Sequence, residues 1–383
     1  MSPRNLHRSP AAIFGLSLSV LVAWSLGYEA FRGPKAAAEA PSLDAQTARA
    51  VEQGGGATGV PIPSMRPPPR LRLPRTDDAP PGLDIAIEDR DGRSMDHFYV
   101  ALARAARGQG QARLLFYGAS HTASDLYTGY LRQALQQAYG DAGHGFIIPV
   151  APWRSYRHRD VEIESGGQWA TYKVQQPSGA PDHYGLAGAA VETSEAGAWG
   201  LVRTKSRGSI GLAVGSFEVF FLEQPGGGDF DVFIDDERVQ RVQTQADERR
   251  PGYAAFQVPD GPHELKIRVE GNGLVRLFGV ALGRNVPGVV VDTLGINGSR
   301  ARNQLAWEDY TYRDHLRRRS PDLVALAYGT NESGDEQPIR EYMADLTRVL
   351  TRIREAVPDA SCLLIGPSDR PLKVGRRSFA DRP

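Results

Sequence analysis

The chain has 383 residues, 45 basic against 45 acidic, and 41% hydrophobic residues. That neutral balance excludes the electrostatic pull that nucleic-acid binding needs, and the apolar content suffices for one or two cores. One cysteine, Cys362, cannot close an intramolecular disulfide, and eight scattered histidines show no metal-ligand spacing. Neither a metal nor a cofactor is expected.

Residues 1–32 read as a signal sequence or membrane anchor. Arg4, His7 and Arg8 precede an apolar run over 11–28, a positive region followed by a hydrophobic one. Cleavage near Ala36-Ala37-Ala38 and retention as an inner-membrane anchor are both open, with retention favoured because the run approaches the length of a bilayer span. No cysteine follows the run, so a lipoprotein is excluded. Residues 33–92 are rich in Ala, Gly and Pro, including Pro67-Pro68-Pro69, and read as an extended linker with too little apolar surface to fold.

A helix from Met95 to Arg107 opens the globular part. It precedes a buried strand, Leu114-Leu115-Phe116-Tyr117, that runs into Gly118-Ala119-Ser120-His121-Thr122 and an amphipathic stretch from Ala123 to Tyr139. A serine placed between a strand and a helix has its hydroxyl at the carboxyl end of the sheet, beside backbone N–H groups. The same residues would also serve as a plain helix N-cap. His121 and Asp125 are candidates for supporting positions around Ser120. His144, in Asp141-Ala142-Gly143-His144, falls at the foot of the sheet, away from Ser120.

Residues 151–285 carry strand-like runs, Ser209–Val214, Phe217–Leu222, Asp229–Ile234, Tyr253–Val258, His263–Val269 and Leu274–Leu282, separated by Gly, Pro and Asp turns. They read as an all-β sandwich, jelly-roll-like, inserted into an α/β domain. Trp153, Tyr156, Trp169, Tyr172, Tyr184 and Trp199 are available either to its core or to a sugar face. Two further buried strands follow. Gly288–Asp292 leads into Thr293-Leu294-Gly295-Ile296-Asn297-Gly298-Ser299, and Leu323–Tyr328 into Gly329-Thr330-Asn331-Glu332. Their apolar, unalternating character suits parallel strands covered on both faces. A fourth such strand is Cys362–Ile365.

Three strand-then-polar turns in this order resemble the SGNH (GDSL-like) hydrolase superfamily. Ser120 matches its block I serine, Gly298 the second glycine of block II and Asn331 the asparagine of block III. The resemblance implies a flavodoxin-like three-layer parallel-sheet domain built from 93–150 and 286–383, with Ser120 as nucleophile. The oxyanion donors would be the Ser120 and Gly298 N–H groups and the Asn331 amide. About 180 residues separate Ser120 from Gly298, where a bare βα crossover needs only about a few dozen. That insertion resembles the bacterial peptidoglycan O-acetylesterases, whose insert looks like a carbohydrate-binding module.

The implied activity is removal of O-acetyl groups from peptidoglycan or another cell-envelope polysaccharide, on the periplasmic side. Ala119 stands where block I usually has aspartate, and Thr293 where block II usually has asparagine. The late Asp-x-x-His block that supplies the general base is absent from this chain, and a serine hydroxyl is a poor nucleophile without one. The C-terminal part of the domain is therefore expected to be missing from the sequence. The alternatives are a non-catalytic glycan-binding envelope protein on the same scaffold, a glycan O-acetyltransferase, or a non-functional product.

Overall fold

The computed structural model describes residues 21–23, 87–175, 183–368, 372–373 and 379–380. Nearly all of the leader and the 33–92 linker up to residue 86 lie outside the described residues. From the apolar 11–28 run only Leu21–Ala23 is described, as a short strand and not as part of a helix. Among the described residues no helix is long and apolar enough to cross a membrane.

Four parallel strands form the centre of the α/β part: β1 (Gln111–Gly118), β2 (Gly288–Gly295), β3 (Leu323–Ala327) and β4 (Ser361–Ile365). Their spatial order is β2-β1-β3-β4, the doubly wound flavodoxin-like arrangement, with Leu21–Ala23 antiparallel to β4 and Glu88–Asp89 beyond it. Such an order places a switch point beside β1, where crevices form at the carboxyl ends of the strands.

Successive side chains on a strand face opposite ways, so one apolar run serves two cores. Ala112, Leu114 and Phe116 of β1, with Val289, Val291, Leu323, Ala325 and Leu363, pack under Phe98, Ala101 and Ala105 of α1 (Asp96–Ala106) and Leu131 and Leu135 of α2 (Tyr127–Tyr139). Leu115, Tyr117, Leu294, Val324 and Leu326 pack the other way, against Tyr312 and Leu316 of α3 (Asp309–Arg319) and Val349, Leu350 and Ile353 of α4 (Ile339–Ala356). Three layers result.

The stretch from Ala123 to Tyr139 is not one helix. Asp125 adopts φ 50°, a left-handed conformation that Asp tolerates better than most residues, and it separates a one-turn helix, Ser120–Ala123, from α2.

Between α2 and β2 the chain forms two antiparallel sheets. One contains Val161–Gly166, Trp199–Thr204, Asp229–Ile234, Glu237–Gln243 and Glu264–Val269. The other contains Ala170–Lys173, Ala189–Thr193, Val214–Glu223, Arg250–Gly261 and Val275–Gly283, joined by Gly145–Ile147 against the last of these. The Phe221 and Phe230 rings meet edge to face, 5.4 Å apart, between the two sheets. The run Ser209–Val214 is not a strand as a whole: Gly208 and Gly211 both take positive φ, and pairing begins at Val214. The apolar core continues from these sheets into α3 without a gap.

Candidate active site

The site is set by the ends of β1, β2 and β3. Gly118 lies between Gly295 on β2 and Ala327 on β3, so the three strands finish level. Ser120, Gly298 and Asn331 follow these ends by two, three and four residues, which brings all three to one rim. Two glycines allow the serine turn to pack down on that rim. A Cβ on Gly295 would stand 2.2 Å from the Ala123 nitrogen, and one on Gly118 would stand 2.2 Å from Thr122 Oγ1 and 2.9 Å from the Ala327 carbonyl.

Ser120 is exposed and is the first residue of its helix, so its N–H has no intrahelical acceptor. Gly298 is also exposed, at φ 77°, in open space where a side chain would meet no atom within 4 Å. Backbone conformation, and not crowding, favours glycine there. Its carbonyl accepts a 2.6 Å hydrogen bond from Arg300 Nη1, and Arg300 also forms a forked ion pair with Asp335 after the third turn. Among the described residues the Gly298 N–H has no acceptor.

Asn331 lies in the one-turn helix Thr330–Gly334, and its Nδ2 donates to the Ser299 carbonyl at 2.8 Å. This leaves the second amide hydrogen for a ligand oxygen. Glu332 is buried beneath, accepting from Ala301 N at 2.7 Å and from Gly329 N at 2.9 Å, so it braces the second and third turns.

Asp125 points inward. Its carboxylate is almost fully buried and accepts from Arg132 Nη2 at 2.6 and 2.7 Å, Thr128 Oγ1 at 2.9 Å, Thr293 Oγ1 at 3.0 Å and Arg159 N at 2.7 Å. Burial pushes its pKa up, but the Arg132 guanidinium, His158 and these hydrogen bonds outweigh that and hold it at about 2. The aspartate thus ties the serine turn to α2, to β2 and to the segment after α2. Thr293, in the place where block II usually has asparagine, is one of its donors.

The histidines divide clearly. His121 is exposed beside Ser120, and among the described residues its ring has no hydrogen-bond partner. His144 is buried with Nε2 2.8 Å from the Gly211 carbonyl, and His158 is buried with Nε2 2.9 Å from Arg132 Nη1. Burial depresses both pKa values. His97 faces Asp322 at 3.2 Å, His183 faces Thr311 Oγ1 at 3.1 Å and His263 faces Asp235 at 2.5 Å. His315 is fully buried among the Phe220, Tyr253 and Phe278 rings. Among the described residues none of these rings hydrogen-bonds the Ser120 hydroxyl, and no group of His, Cys, Asp or Glu is arranged to hold a metal ion.

Of the aromatic candidates, Tyr184 is buried, while Trp153, Tyr156, Trp169 and Tyr172 are half-buried against the core. Trp199 is half-buried with the Lys266 ammonium 4.9 Å above its ring. Sequence reasoning missed Arg300, Asp335 and Arg132 altogether. Their positions become informative only once the partner residues are adjacent.

Residues 261–382 match the GDSL-like lipase/acylhydrolase family. Among solved structures, a peptidoglycan O-acetylesterase is 21% identical at a TM-score of 0.59, over 72% of this chain and 73% of that one. A family two carbohydrate esterase from Clostridium thermocellum in complex with cellohexaose is 11% identical at 0.21, over 56% of this chain and 79% of that one. A family 35 carbohydrate-binding module from an environmental isolate is 11% identical at 0.20, over 24% and 69%. At TM-scores of 0.21 and 0.20 the last two do not bear on architecture. No curated protein matches the sequence. Residues 261–382 are thus similar to the GDSL-like lipases/acylhydrolases, and the chain resembles a peptidoglycan O-acetylesterase in fold.

Proposed function

We propose that the protein is an exported serine esterase that removes O-acetyl groups from an acetylated cell-envelope glycan. The observation that carries this reading is the convergence of an exposed Ser120, an unpaired Gly298 N–H and a tethered Asn331 amide on one rim. The family match over 261–382 and the esterase fold support it.

In the reaction, Ser120 Oγ bonds to the acetyl carbonyl carbon as its proton passes to a general base, which then hands it to the departing sugar oxygen. The carbonyl oxygen becomes negative and accepts hydrogen bonds from the Ser120 and Gly298 N–H groups and from Asn331. Collapse breaks the bond to the sugar oxygen, which leaves as a protonated hydroxyl, and water then releases acetate from the acetyl-serine. The resemblance assigns the base to an Asp-x-x-His pair. The same acetyl-serine passed to a sugar hydroxyl would make the protein a transferase. The two antiparallel sheets would present the glycan.

The test is acetate release from O-acetylated peptidoglycan, with a serine-directed phosphonate mapped by mass spectrometry. Ser120→Ala should abolish both signals. Asn331→Ala should cut turnover by about 10² to 10³ while labelling persists at a reduced rate. Labelling elsewhere, or none at all, would leave only glycan binding on an esterase-like scaffold.

A further inference from the structure

Resting on the esterase reading of Ser120 and Gly298, we infer that Gln175, supplied by the inserted segment, is a positioning residue that holds the Asn297–Gly298 peptide with its N–H turned to the reacting oxygen. Gln175 Nε2 donates to the Asn297 carbonyl at 2.8 Å. That carbonyl shares one rigid plane with the Gly298 N–H and points the opposite way. A donor on the carbonyl therefore fixes the direction of the N–H, and by polarising the amide it strengthens the N–H as a donor.

The peptide needs holding, because its turn can exist in two forms. Ser299 N donates to the Ile296 carbonyl at 3.0 Å, Asn297 keeps a negative φ and Gly298 takes φ 77°, so 296–299 is a type II turn. Types I and II differ by about half a revolution of the central peptide, with the outer residues nearly unmoved. Those outer groups are pinned: Ile296 N donates to the Gly118 carbonyl at 3.0 Å, the Ser299 carbonyl accepts from Asn331 at 2.8 Å and the Gly298 carbonyl accepts from Arg300 at 2.6 Å. The middle is not crowded. Gly298 is exposed, with open space where a side chain would stand and no β-carbon to resist a change of φ. In the type I form the Asn297 carbonyl would take the place of the Gly298 N–H, an acceptor confronting a developing negative charge.

The glutamine is itself anchored. Val174, the residue before it, is buried, and its N–H donates to the Gly188 carbonyl at 3.1 Å. Gly188, at φ 69°, packs so closely that a Cβ there would stand 2.8 Å from Ile296 Cδ1, at the head of the turn. Ser155 Oγ accepts from Asn297 Nδ2 at 3.2 Å, so the insert grips the side chain of Asn297 as well as its carbonyl. The Gln175 amide cannot serve reversed, since its oxygen would then meet another acceptor.

The test uses the full chain with Gln175→Glu and Gln175→Met. Glutamate keeps the size of the side chain but sets a carboxylate against the Asn297 carbonyl, whereas methionine only withdraws the donor and leaves the carbonyl to water. The maximal rate of Ser120 labelling by the phosphonate should fall about tenfold for Gln175→Met, the worth of one hydrogen bond. For Gln175→Glu it should fall further, toward the loss of about 10² to 10³ that a missing oxyanion donor causes. The half-saturating phosphonate concentration should not change. A role in packing alone predicts the reverse order. A readout independent of activity comes from NMR of the chain carrying carbonyl-labelled Asn and nitrogen-labelled Gly, which reports two peptides, Asn297–Gly298 and Asn272–Gly273. Both substitutions should shift the first signal and leave the second in place. An unmoved Asn297–Gly298 signal, a moved one with labelling at the wild-type rate, or a Gln175→Glu variant milder than Gln175→Met overturns the inference. A wild-type chain that takes no label refutes the esterase reading instead, and the NMR comparison then decides by itself whether Gln175 holds the peptide.

Discussion

Asp125→Asn tests whether the inward clamp holds the serine turn. Asparagine keeps the shape of the side chain and tolerates the left-handed backbone at φ 50°, so the change removes charge with little backbone strain. What remains is Arg132, fully buried, with Asp160 as its other carboxylate at 3.5 Å. Breaking one partner out of a buried pair costs about 3–5 kcal/mol, and the residual Asp160 contact argues for the lower end. A second route gives a comparable magnitude. A fall in pKa from 3.8 to about 2, at about 1.4 kcal/mol per unit, corresponds to about 2 kcal/mol for the charge alone. Because the folded pKa is depressed, that contribution is complete above about pH 4 and is lost as the pH falls toward 2. Urea unfolding at pH 7 would measure the difference, with phosphonate labelling of Ser120 as the local readout. Asp125→Asn should lower the midpoint and slow labelling, and Asp125→Asn with Arg132→Met should recover part of the loss, since removing both charges leaves neither stranded. A single variant within about 1 kcal/mol of wild type, or a double variant no better than the single, would refute the clamp.

Gly295→Ala should destabilise the fold by about 1–3 kcal/mol and depress Ser120 labelling, because the new Cβ meets backbone at Ala123 and not a movable side chain. Unchanged labelling would show that the serine turn does not depend on this close approach. His315, buried and among the described residues without a hydrogen-bond partner at either ring nitrogen, has its pKa pushed down to about 3 by burial and by Arg318. The unfolded chain therefore takes up the proton first, and stability present above about pH 6.5 is lost on acidification. Between pH 7 and pH 5 this group should account for about 2 kcal/mol, and His315→Leu should remove that part of the slope in urea midpoints.

The four central strands are legible because each is buried on both faces and so reads as an unbroken apolar run. The three turns that follow them are legible for the same reason, since each polar segment begins where an apolar run stops. Strands of the two antiparallel sheets are harder to see. Glu237–Gln243 reads ERVQRVQ and is largely exposed, because it lies at a sheet edge, while Val161–Gly166 and Ala170–Lys173 carry no long apolar pattern. The break at Asp125 is invisible in a sequence whose helical periodicity continues past it. Its partners Arg132, Thr293 and Arg159 arrive from three separate segments, so no local spacing announces them.

That clamp bears on how the inserted segment relates to the rim that carries Ser120, Gly298 and Asn331. Had the insert been a module on a tether, its contacts with the α/β part would be few and polar, as between independent domains. Instead, its core is continuous with the α3 side of the sheet, Phe220, Tyr253 and Phe278 enclose a helix side chain, and Arg159 N reaches the aspartate that holds the serine turn. Gln175 and Ser155 grip Asn297, the residue before Gly298. The turns that carry Ser120 and Gly298 are thus both fixed partly from the insert. Removing it would strip apolar surface from α3 and release those two turns together, so the segment belongs to the geometry of the candidate site.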